Sequence, residues 1–514
     1  MINTLLAVAG SSDVIYPLSA VLWPAVSSLK VEESESERCS MHSLISFEGK
    51  GVASERIELF EELLGQLSSD IYPKCDWKHC IVSVSENGSA SSESYYLRVS
   101  KSECFLSCDF EVGCVRGAYT LSQIPDDDKS IPAGLVEISD SPSLSHRGLL
   151  LDTARRFLSV DKILNHLELL ARSKMNVLHW HVSDDHSFSL ALESTEKAFH
   201  YPGEAYSMSE MALIVNFAEI RGIRILLEID IPGHTRALVR GYPYLRGDAK
   251  DGIDPTKETT FDFLNNLFEE ISRLGLKSIH LGGDETGAAW ETVEIEKWAE
   301  NRFGQNFKKG HIINYWLNRV VRLAESHGLR LSMWNDFLRE GGDLIDKDIV
   351  EKVIWQVWLG NYSDAVKLGE SAQVIYSSEG AYYLDHLDLR WDTMFSSEIG
   401  FGVLGGETCQ WGEWSDEFDT ISRVWPRAAA VGGRLWNLKE FLDERNTLKG
   451  DPTKAAVPLA SWVCHVRKRG LQVGNVGNIE SHRPVVVGED GTDLRQWVCP
   501  KKKIIPEKYK REIL

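Results

Sequence analysis

The chain has 514 residues, 43% of them hydrophobic and 26% charged, and its formal net charge is −20. A chain of this length exceeds one ordinary compact core, so we expect two domains. The acidic balance argues against a nucleic-acid partner, whose binding surface would be basic, and no apolar run approaches the roughly 18–20 residues that span a membrane.

An apolar patch from Leu5 to Ala9 lies near the start of the chain, and no basic residue precedes it. A secretory signal has a basic start and a longer apolar stretch, so we interpret residues 1–20 as a weak or truncated targeting segment. The chain has nine cysteines, an odd number that leaves one thiol unpaired. Five are clustered at Cys75, Cys80, Cys104, Cys108 and Cys114. Because no CxxC pair occurs, disulfides in an oxidising compartment are favoured over a zinc site, which stays open as the alternative.

Residues 21–140 combine short β-rich runs with a helical stretch from Glu55 to Ser69. Two of the runs, Cys80–Val84 and Tyr95–Val99, are typical of strands. A further helix is expected after Gly117, ending at the proline and aspartates that begin at position 125. This pattern predicts a smaller α+β accessory domain, followed by a short linker rich in serine.

From about residue 145 the pattern changes, and short apolar runs alternate with helical segments. Eight runs predict buried strands: Gly148–Asp152, Val177–Val182, Ile223–Ile229, Lys277–Leu281, Leu329–Trp334, Val353–Trp358, Gln373–Tyr376 and Leu404–Gln410. Eight strand–helix alternations favour an α/β fold of the (β/α)8 TIM barrel type over a doubly wound sheet. We assign residues 145–475 to this barrel and residues 476–514 to a C-terminal tail that packs on it.

Polar and aromatic residues follow the predicted strands repeatedly. They are Arg155, Asp184, Asp230 with His234, Asp284 with Glu285, Trp334, Trp358, Tyr383 with Asp385, and Trp411 with Glu413. In a (β/α)8 barrel the C-terminal ends of the strands meet at one face and form the active site. A structural protein has no reason to gather such groups at one end of every strand. The pattern indicates a polar pocket walled by indole rings, which favours a carbohydrate ligand.

The most specific motif is His280-Leu281-Gly282-Gly283-Asp284-Glu285, in which two adjacent acids follow two glycines. Neighbouring residues that leave a strand point to opposite sides, so the carboxyls are expected to face different parts of one pocket. A retaining glycosidase with an enzyme nucleophile needs two carboxyls roughly 5 Å apart. Adjacent acids suit a different division of roles, in which one acid protonates the leaving group and the other contacts a group of the substrate. Alternatively, Asp284 caps a following helix and Glu285 lies in its first turn.

These motifs resemble the β-N-acetylhexosaminidases of glycoside hydrolase family 20, in particular the eukaryotic lysosomal or secreted kind. The matching stretches are residues 145–155, 176–185, 221–224, 228–235, 280–285, 406–413 and 425–428. The resemblance covers the whole predicted barrel, and the N-terminal segment fits the family's accessory domain more loosely. It implies exo-hydrolysis of terminal GlcNAc or GalNAc with retention, in which the substrate's acetamido oxygen attacks C1.

The resemblance also implies catalytic roles for three residues. Asp284 would orient the acetamido N–H and stabilise the oxazolinium cation, and Tyr383 would hydrogen-bond the acetamido oxygen. Glu285 would protonate the glycosidic oxygen and later activate water. Burial near tryptophan and beside a second carboxylate is expected to raise the pKa of Glu285.

Other residues would bind the sugar or support the pocket. The acetyl methyl would be boxed by Trp334, Trp358 and Trp411. The sugar hydroxyls would be held by Arg155, Glu413 and Asp385. The polar network at the pocket floor would comprise Asp184, His181 and His234, although each histidine alone also suits a satisfied core position. Because Asp385 would face the 6-hydroxyl, neutral substrates are expected to be preferred over 6-sulfated ones.

Three rival functions have weaker support. An endo-chitinase would carry a D-x-x-D-x-D-x-E pattern instead of an adjacent pair, and a catalytically dead binding protein would lack Glu285. A metal enzyme built on His179 and His181 is disfavoured because Trp180 separates them along a strand. The resemblance implies no cofactor and no metal, a carbohydrate substrate, a lysosomal or secreted location, and a homodimer as one option. It departs from the usual family residues at His186, Arg156, Asn335 and Gly433.

Overall fold

The structure is a computed structural model, and part of the chain is described. The described residues are 15–16, 18, 22–32, 38–40, 46–50, 53–64, 74–85, 92–125, 130–132, 134–250, 252–286, 289–442, 448–476 and 501–502. The expected targeting segment and the expected C-terminal tail therefore lie almost entirely outside the described residues. Among the described residues, no helix has the length and apolar character needed to cross a membrane.

The N-terminal part is built around a mixed sheet. Its strands and helices are β1 Ile15–Tyr16, β2 Ser28–Glu32, β3 Arg38–Ser40, β4 Ser46–Lys50, α1 Ser54–Leu64, β5 His79–Val84, β6 Tyr95–Val99, β7 Cys104–Cys108, α2 Glu111–Leu121, β8 Ser130–Pro132 and β9 Leu135–Asp140. Six strands form one sheet in the order β2-β9-β6-β7-β5-β4, and β3 pairs separately with β8. The predicted α+β character is confirmed.

Disulfides crosslink this part of the chain. The described pairs are Cys39–Cys75, Cys80–Cys104 and Cys108–Cys114. Cys464 is also disulfide-bonded, whereas Cys409 is a free thiol buried in the barrel. Disulfides, and not a zinc site, therefore account for the clustered cysteines. Such crosslinks stabilise a small domain chiefly by restricting its unfolded state.

Helix α2 begins earlier than the sequence suggested, so the expectation of a helix after Gly117 is wrong. Gly117 lies inside the helix, as does Gly113. A Cβ atom at Gly117 would come within 2.4 Å of Leu106 Cδ1, and one at Gly113 within 2.3 Å of the Ser94 carbonyl oxygen. These glycines therefore allow close helix–sheet packing and do not mark a helix boundary.

The next eight strands form a closed barrel in chain order, and all of its neighbouring strands pair in parallel. They are β10 His146–Asp152, β11 Val177–His181, β12 Arg224–Glu228, β13 Ser278–His280, β14 Arg330–Trp334, β15 Ile354–Val357, β16 Gln373–Tyr376 and β17 Gly405–Gln410. Every residue of β10 is buried, as expected for a barrel strand that is covered on both faces. The predicted (β/α)8 barrel is confirmed.

Helices surround the barrel and follow its last strand. They are α3 Val160–Arg172, α4 Met208–Ile220, α5 Arg236–Gly241, α6 Pro243–Arg246, α7 Glu258–Ser272, α8 Val293–Phe303, α9 Lys309–Ser326, α10 Asp336–Gly341, α11 Lys347–Lys352, α12 Tyr362–Gly369, α13 Glu379–Tyr382, α14 Trp391–Phe395, α15 Thr420–Val424, α16 Arg427–Trp436 and α17 Pro452–Arg467. Short 3-10 helices lie at Glu193–Thr195 and Gly342–Leu344. The last described strand, β18 Lys501–Lys502, pairs in parallel with β1.

Buried ion pairs join the N-terminal part to the barrel. Glu93 accepts hydrogen bonds at 2.7 Å from Arg116 and from Arg147 of β10. Although burial opposes its ionisation, these two guanidinium groups lower the pKa of Glu93 to about 2. Trp23 packs on α16, where a Cβ at Gly433 would lie 2.2 Å from the Trp23 ring. The indole therefore explains why glycine stands at position 433.

Candidate active site

Arg155 lies at the end of β10 and contacts three carboxylates. Its Nη1 is 2.9 Å from Asp152 Oδ2, its Nη2 is 2.8 Å from Asp184 Oδ2, and its Nε is 3.2 Å from Glu413 Oε1. The guanidinium carbon lies 5.1 Å from the centre of the Trp411 ring. Although burial disfavours the cation, these carboxylates raise the pKa of Arg155. The side chain is thus a fixed, charged donor in the pocket wall.

His234 lies between three carboxylates from two strand ends. Its Nδ1 is 3.7 Å from Asp184 Oδ2, and its Nε2 is 3.7 Å from Asp284 Oδ2 and 3.4 Å from Glu285 Oε2. Burial opposes protonation of the imidazole. The hydrogen bond to Glu285 and the surrounding acidic charges outweigh it and raise the pKa of His234 to about 11. His234 is therefore a cation at neutral pH.

The turn after β13 separates the two adjacent acids. Gly282 and Gly283 have φ angles of 60° and 87°, and Glu285 has a φ of 46°. A Cβ at Gly282 would lie 1.9 Å from Asp230 Oδ1, so only glycine fits there. The Asp284 side chain is 14% exposed and the Glu285 side chain 61% exposed. The two carboxyls thus face different surroundings, as expected from the strand geometry.

The helix-capping alternative for these acids is wrong. The next described helix, α8, begins at Val293, and the Thr292 side chain caps it by accepting from the Ile295 N–H. Asp284 and Glu285 lie several residues before that cap. Their side chains therefore lie at the pocket and not at a helix terminus.

Asp284 shares a buried proton with Asp230. Burial raises the pKa of both carboxyls, and the charge of Asp284 helps to raise that of Asp230 well above its usual range. Asp230 therefore keeps its proton and donates a hydrogen bond to Asp284. The second Asp284 oxygen, Oδ1, is buried and has no hydrogen-bond partner in the described part of the chain. A buried acceptor of this kind suits a substrate N–H.

The expected rise in the pKa of Glu285 is wrong for this structure. The hydrogen bond from His234 and the positive charge of that ring lower the pKa of Glu285, and they outweigh its partial burial. This carboxyl is mostly exposed, with 61% of the side chain accessible. A bound sugar that shields Glu285 from water would move its pKa upward.

Four aromatic side chains form one continuous wall. The Trp334 and Trp411 rings are 5.9 Å apart, Trp411 and Tyr383 are 6.1 Å apart, and Tyr383 stacks on Trp358 at 6.3 Å. All but Trp358 are buried. Burial also raises the pKa of Tyr383 well above its usual value, so its hydroxyl keeps its proton and remains a donor. The wall can enclose a small apolar group beside one phenolic donor.

Asp385 lies beside this wall and has an unused acceptor. Its Oδ1 is buried and lacks a hydrogen-bond partner among the described residues. Burial raises the pKa of Asp385 to about 6, and the charge of Glu413 acts in the same direction. His181 connects to the floor of the pocket, because its Nε2 lies 3.3 Å from Asp184 Oδ2 and its ring lies 5.1 Å from that of Trp411.

Two carboxylates that support the pocket were not predicted from the sequence. Asp336 accepts the Trp358 indole N–H at 2.7 Å, and Glu228 accepts the Trp334 indole N–H at 2.9 Å. Asp336 comes two residues after a tryptophan at a strand end, and Glu228 ends an apolar strand. An acid at the end of a buried strand is the signal that could have identified them.

Imidazole and carboxylate atoms come close enough for a metal ion at several points in the described region. One such group is His179, Glu228 and His280, whose ligand-type atoms lie within 4.8 Å of one another. The Glu228 oxygens, however, already accept hydrogen bonds from Trp334 and His181. Both Glu228 oxygens are thus occupied, whereas Nε2 of His179 and Nε2 of His280 have no hydrogen-bond partner among the described residues. No reaction step is assigned to a metal at this group.

Comparison with known proteins decides the family. The model of the glycosyl hydrolase family 20 catalytic domain matches residues 144–401. Beta-hexosaminidase 1 of Arabidopsis thaliana is 31% identical over 422 residues, which cover 76% of each chain. The human beta-hexosaminidase subunit beta is 33% identical over 389 residues, 69% of this chain and 68% of that one. The chain belongs to glycosyl hydrolase family 20.

Solved structures share the fold of this family 20 enzyme. The chitobiase of Flavobacterium johnsoniae is 24% identical with a TM-score of 0.75, and the alignment covers 88% of this chain and 73% of that one. An exo beta-N-acetylglucosaminidase from Vibrio harveyi is 20% identical with a TM-score of 0.76, covering 90% and 80% of the two chains. The family resemblance and the glycoside hydrolase class inferred from sequence are confirmed.

Proposed function

We propose that this enzyme removes terminal β-linked GlcNAc or GalNAc from glycoconjugates or chito-oligosaccharides, with retention of configuration. The observation that carries the proposal is the contrast between adjacent acids. The Asp284 side chain is 14% exposed and has an acceptor oxygen without a partner among the described residues, whereas the Glu285 side chain is 61% exposed at the mouth of the pocket. One acid can thus bind a substrate amide while the other reaches the leaving group.

The reaction proceeds in two steps. Glu285 gives its proton to the glycosidic oxygen while the substrate's acetamido oxygen attacks C1, which expels the aglycone and forms an oxazolinium ion. Water then attacks C1 and gives its proton to Glu285, which opens the oxazolinium and restores the acetamido group. Asp284 accepts the acetamido N–H through Oδ1, and its negative charge stabilises the cation. Asp230 holds the proton that leaves Asp284 ionised.

Binding contacts explain the choice of an N-acetyl sugar. The wall of Trp334, Trp411 and Trp358 encloses the acetyl methyl, and the Tyr383 hydroxyl donates to the acetamido oxygen, which orients it toward C1. The distal hydroxyls bind to Arg155 and Glu413, which contact each other at 3.2 Å and present a donor beside an acceptor. Asp385 accepts the 6-hydroxyl through its unpartnered Oδ1. His234, Asp184 and His181 hold the two catalytic carboxyls in place.

The domain division and the compartment follow as proposals. Residues 21–140 act as an accessory domain for the barrel of residues 145–475, with a targeting segment at 1–20 and a tail at 476–514. The disulfides of the N-terminal part support an oxidising route to the lysosome or the cell exterior. The comparisons include the beta-hexosaminidase subunits of mammals, with which the same route agrees. A homodimer stays a prediction.

The decisive experiment measures hydrolysis of 4-nitrophenyl β-GlcNAc, β-GalNAc and β-glucoside by wild type and Glu285→Gln. We expect the wild type to cleave only the N-acetyl sugars, and the variant to lose most of that activity. Equal cleavage of the glucoside would refute the participation of the acetamido group. A folded but inactive wild type would favour a binding protein instead.

A further inference from the structure

Glu228 ends strand β12 with no exposed surface, beneath the floor of the pocket. Its Oε1 accepts the indole N–H of Trp334 at 2.9 Å. Its Oε2 lies 2.6 Å from His181 Nδ1, which donates to it. One carboxylate therefore holds both a wall of the acetyl pocket and the imidazole at the pocket floor.

From His181 the contacts continue outward to the general acid. His181 Nε2 lies 3.3 Å from Asp184 Oδ2, and Asp184 lies 3.7 Å from His234 Nδ1. The other ring nitrogen of His234 is 3.4 Å from Glu285 Oε2. Negative and positive groups alternate along this path from Glu228 to Glu285. Each group is thus oriented by a neighbour of opposite charge.

Other titratable or charged groups also face this path. Around Glu228 they are His179 Nε2 at 3.1 Å, His280 Nδ1 at 3.0 Å and the neighbouring acid Asp230. Around Glu285 they are His234, Asp284, Arg155 and Asp184. Glu407 lies behind His179, whose Nδ1 it accepts at 2.7 Å, and it also accepts His146 at 2.8 Å. In the described part of the chain, the side-chain hydrogen bonds of Glu407 do not include Trp334 or His181. Glu407 is therefore as buried as Glu228 but does not join the tryptophan wall to His181.

We propose that Glu228 is a positioning residue that couples the acetyl-binding tryptophan wall to the proton-donating carboxyl. It does so by holding Trp334 with one oxygen and His181 with the other. The inference rests on the proposed function of the pocket. Glu228 touches no substrate atom itself, and its effect reaches the reaction through these two side chains.

The sign of the effect follows from the direction of the ion pair. In the ion pair of Glu228 and His181, the positively charged imidazole lies on the side of Asp184 and Glu285. Its charge favours the ionised form of Glu285. Glu228→Gln keeps the shape but removes the charge, so His181 loses the strongest of the interactions that raise its pKa, while Asp184 and Asp152 still act in the same direction. When His181 loses its positive charge, the pKa of Glu285 rises and the carboxyl keeps its proton to higher pH. The basic limb of kcat/KM then moves upward.

The test is the pH dependence of kcat/KM for wild type, Glu228→Gln and Glu407→Gln, with N,N′-diacetylchitobiose as substrate. Its leaving sugar needs a proton, so the basic limb reports the ionisation of Glu285. We expect Glu228→Gln to move that limb up by about 0.5–1 pH unit and to lower kcat/KM several-fold. Glu407→Gln removes an equally buried carboxylate and is expected to keep the wild-type limb.

The outcomes separate this inference from the proposed function. The role of Glu228 is overturned if the wild type is active and the basic limb has the same midpoint in Glu228→Gln as in Glu407→Gln. This holds whether or not that midpoint differs from the wild-type value. A folded wild type that does not cleave the disaccharide refutes the proposed function, and this inference with it. Should Glu228→Gln fail to fold, His181→Asn removes the same positive charge. An unchanged limb in that variant overturns the coupling equally.

Discussion

Trp358 donates its indole N–H to Asp336 Oδ2 at 2.7 Å, and Asp336 Oδ1 lies 3.4 Å from the backbone nitrogen of Glu285. The φ of 46° at Glu285 is a conformation that residues with a side chain adopt at some cost. An acceptor for its N–H helps to hold that conformation. Asp336 therefore links a wall of the acetyl pocket to the turn that presents the general acid.

Removal of the Asp336 side chain is expected to lower activity although Asp284 and Glu285 are unchanged. We expect Asp336→Ala to reduce kcat/KM on the order of 10- to 100-fold, because both the indole and the turn lose a fixed position. Asp336→Asn, which retains one acceptor oxygen, should lie closer to wild type. Steady-state kinetics with 4-nitrophenyl β-GlcNAc give both values. Wild-type kinetics in Asp336→Ala would mean that the contact has no role in positioning.

The roles of the two adjacent acids predict different dependence on the leaving group. A general acid contributes about 10²–10⁴-fold, and only where the leaving group needs a proton. We expect Glu285→Gln to suffer that loss with N,N′-diacetylchitobiose but a much smaller one with the 2,4-dinitrophenyl glycoside of GlcNAc. Asp284→Asn serves as the matched control and should slow both substrates, because Asp284 acts on the acetamido group. Equal losses in Glu285→Gln would assign the proton to another group.

The pKa of Asp385 predicts that discrimination against sulfate depends on pH. Burial raises this pKa to about 6, so the carboxyl is ionised at pH 7 and largely protonated at pH 5. We expect the ratio of kcat/KM for neutral over 6-sulfated substrate to be highest near pH 7 and to fall toward pH 5. Asp385→Asn should show a low ratio at both pH values. A pH-independent ratio in the wild type would exclude Asp385 as its source.

Buried histidine also predicts a loss of stability in alkali. Burial disfavours the charged form of His179, but Glu407 and Glu228 raise its pKa to about 9. Between pH 6.5 and 9 the folded protein holds a proton that the unfolded chain lacks, so the free energy of unfolding falls as pH rises through this window. The stabilisation is complete below pH 6.5 and amounts to on the order of 3 kcal/mol. Thermal unfolding from pH 6 to 9.5 measures it.

His179→Gln is the control for that measurement. The variant should unfold at a lower temperature at neutral pH, yet its melting temperature should fall less between pH 7 and 9. His234 contributes with the same sign from about pH 6.5 up to about pH 11, because its pKa is raised to about 11. That decline is common to both proteins, so the difference between them reports His179. An equally steep decline in wild type and variant would assign the alkaline loss to other groups.

The strands of the barrel were predictable because buried parallel strands are continuous apolar runs. The run Gln373–Tyr376, for example, is the observed β16. The aromatic and acidic residues were predictable as a set, since a barrel gathers strand ends at one face. The start of α2 was not, because Gly117 is set by its packing against Leu106, a contact that is absent from local sequence.

The missed carboxylates and the pKa of Glu285 depend on partners that are distant in sequence. Glu228 and Trp334 lie 106 positions apart, and no local pattern reports that their side chains meet. The pKa of Glu285 was expected to rise because of burial near tryptophan and the adjacent carboxylate. It is lowered instead, because His234 from another strand end lies 3.4 Å away. Such effects need three-dimensional distances.

The glycine turn before the catalytic acids limits what laboratory evolution can alter in this enzyme. Any side chain at Gly282 would meet Asp230 at 1.9 Å, and one at Gly283 would meet the Phe337 ring at 2.8 Å. In a library randomised at these two positions, we expect every active variant to keep both glycines. New preferences for the sugar or the aglycone will have to come from other strand ends, while this turn is inherited unchanged.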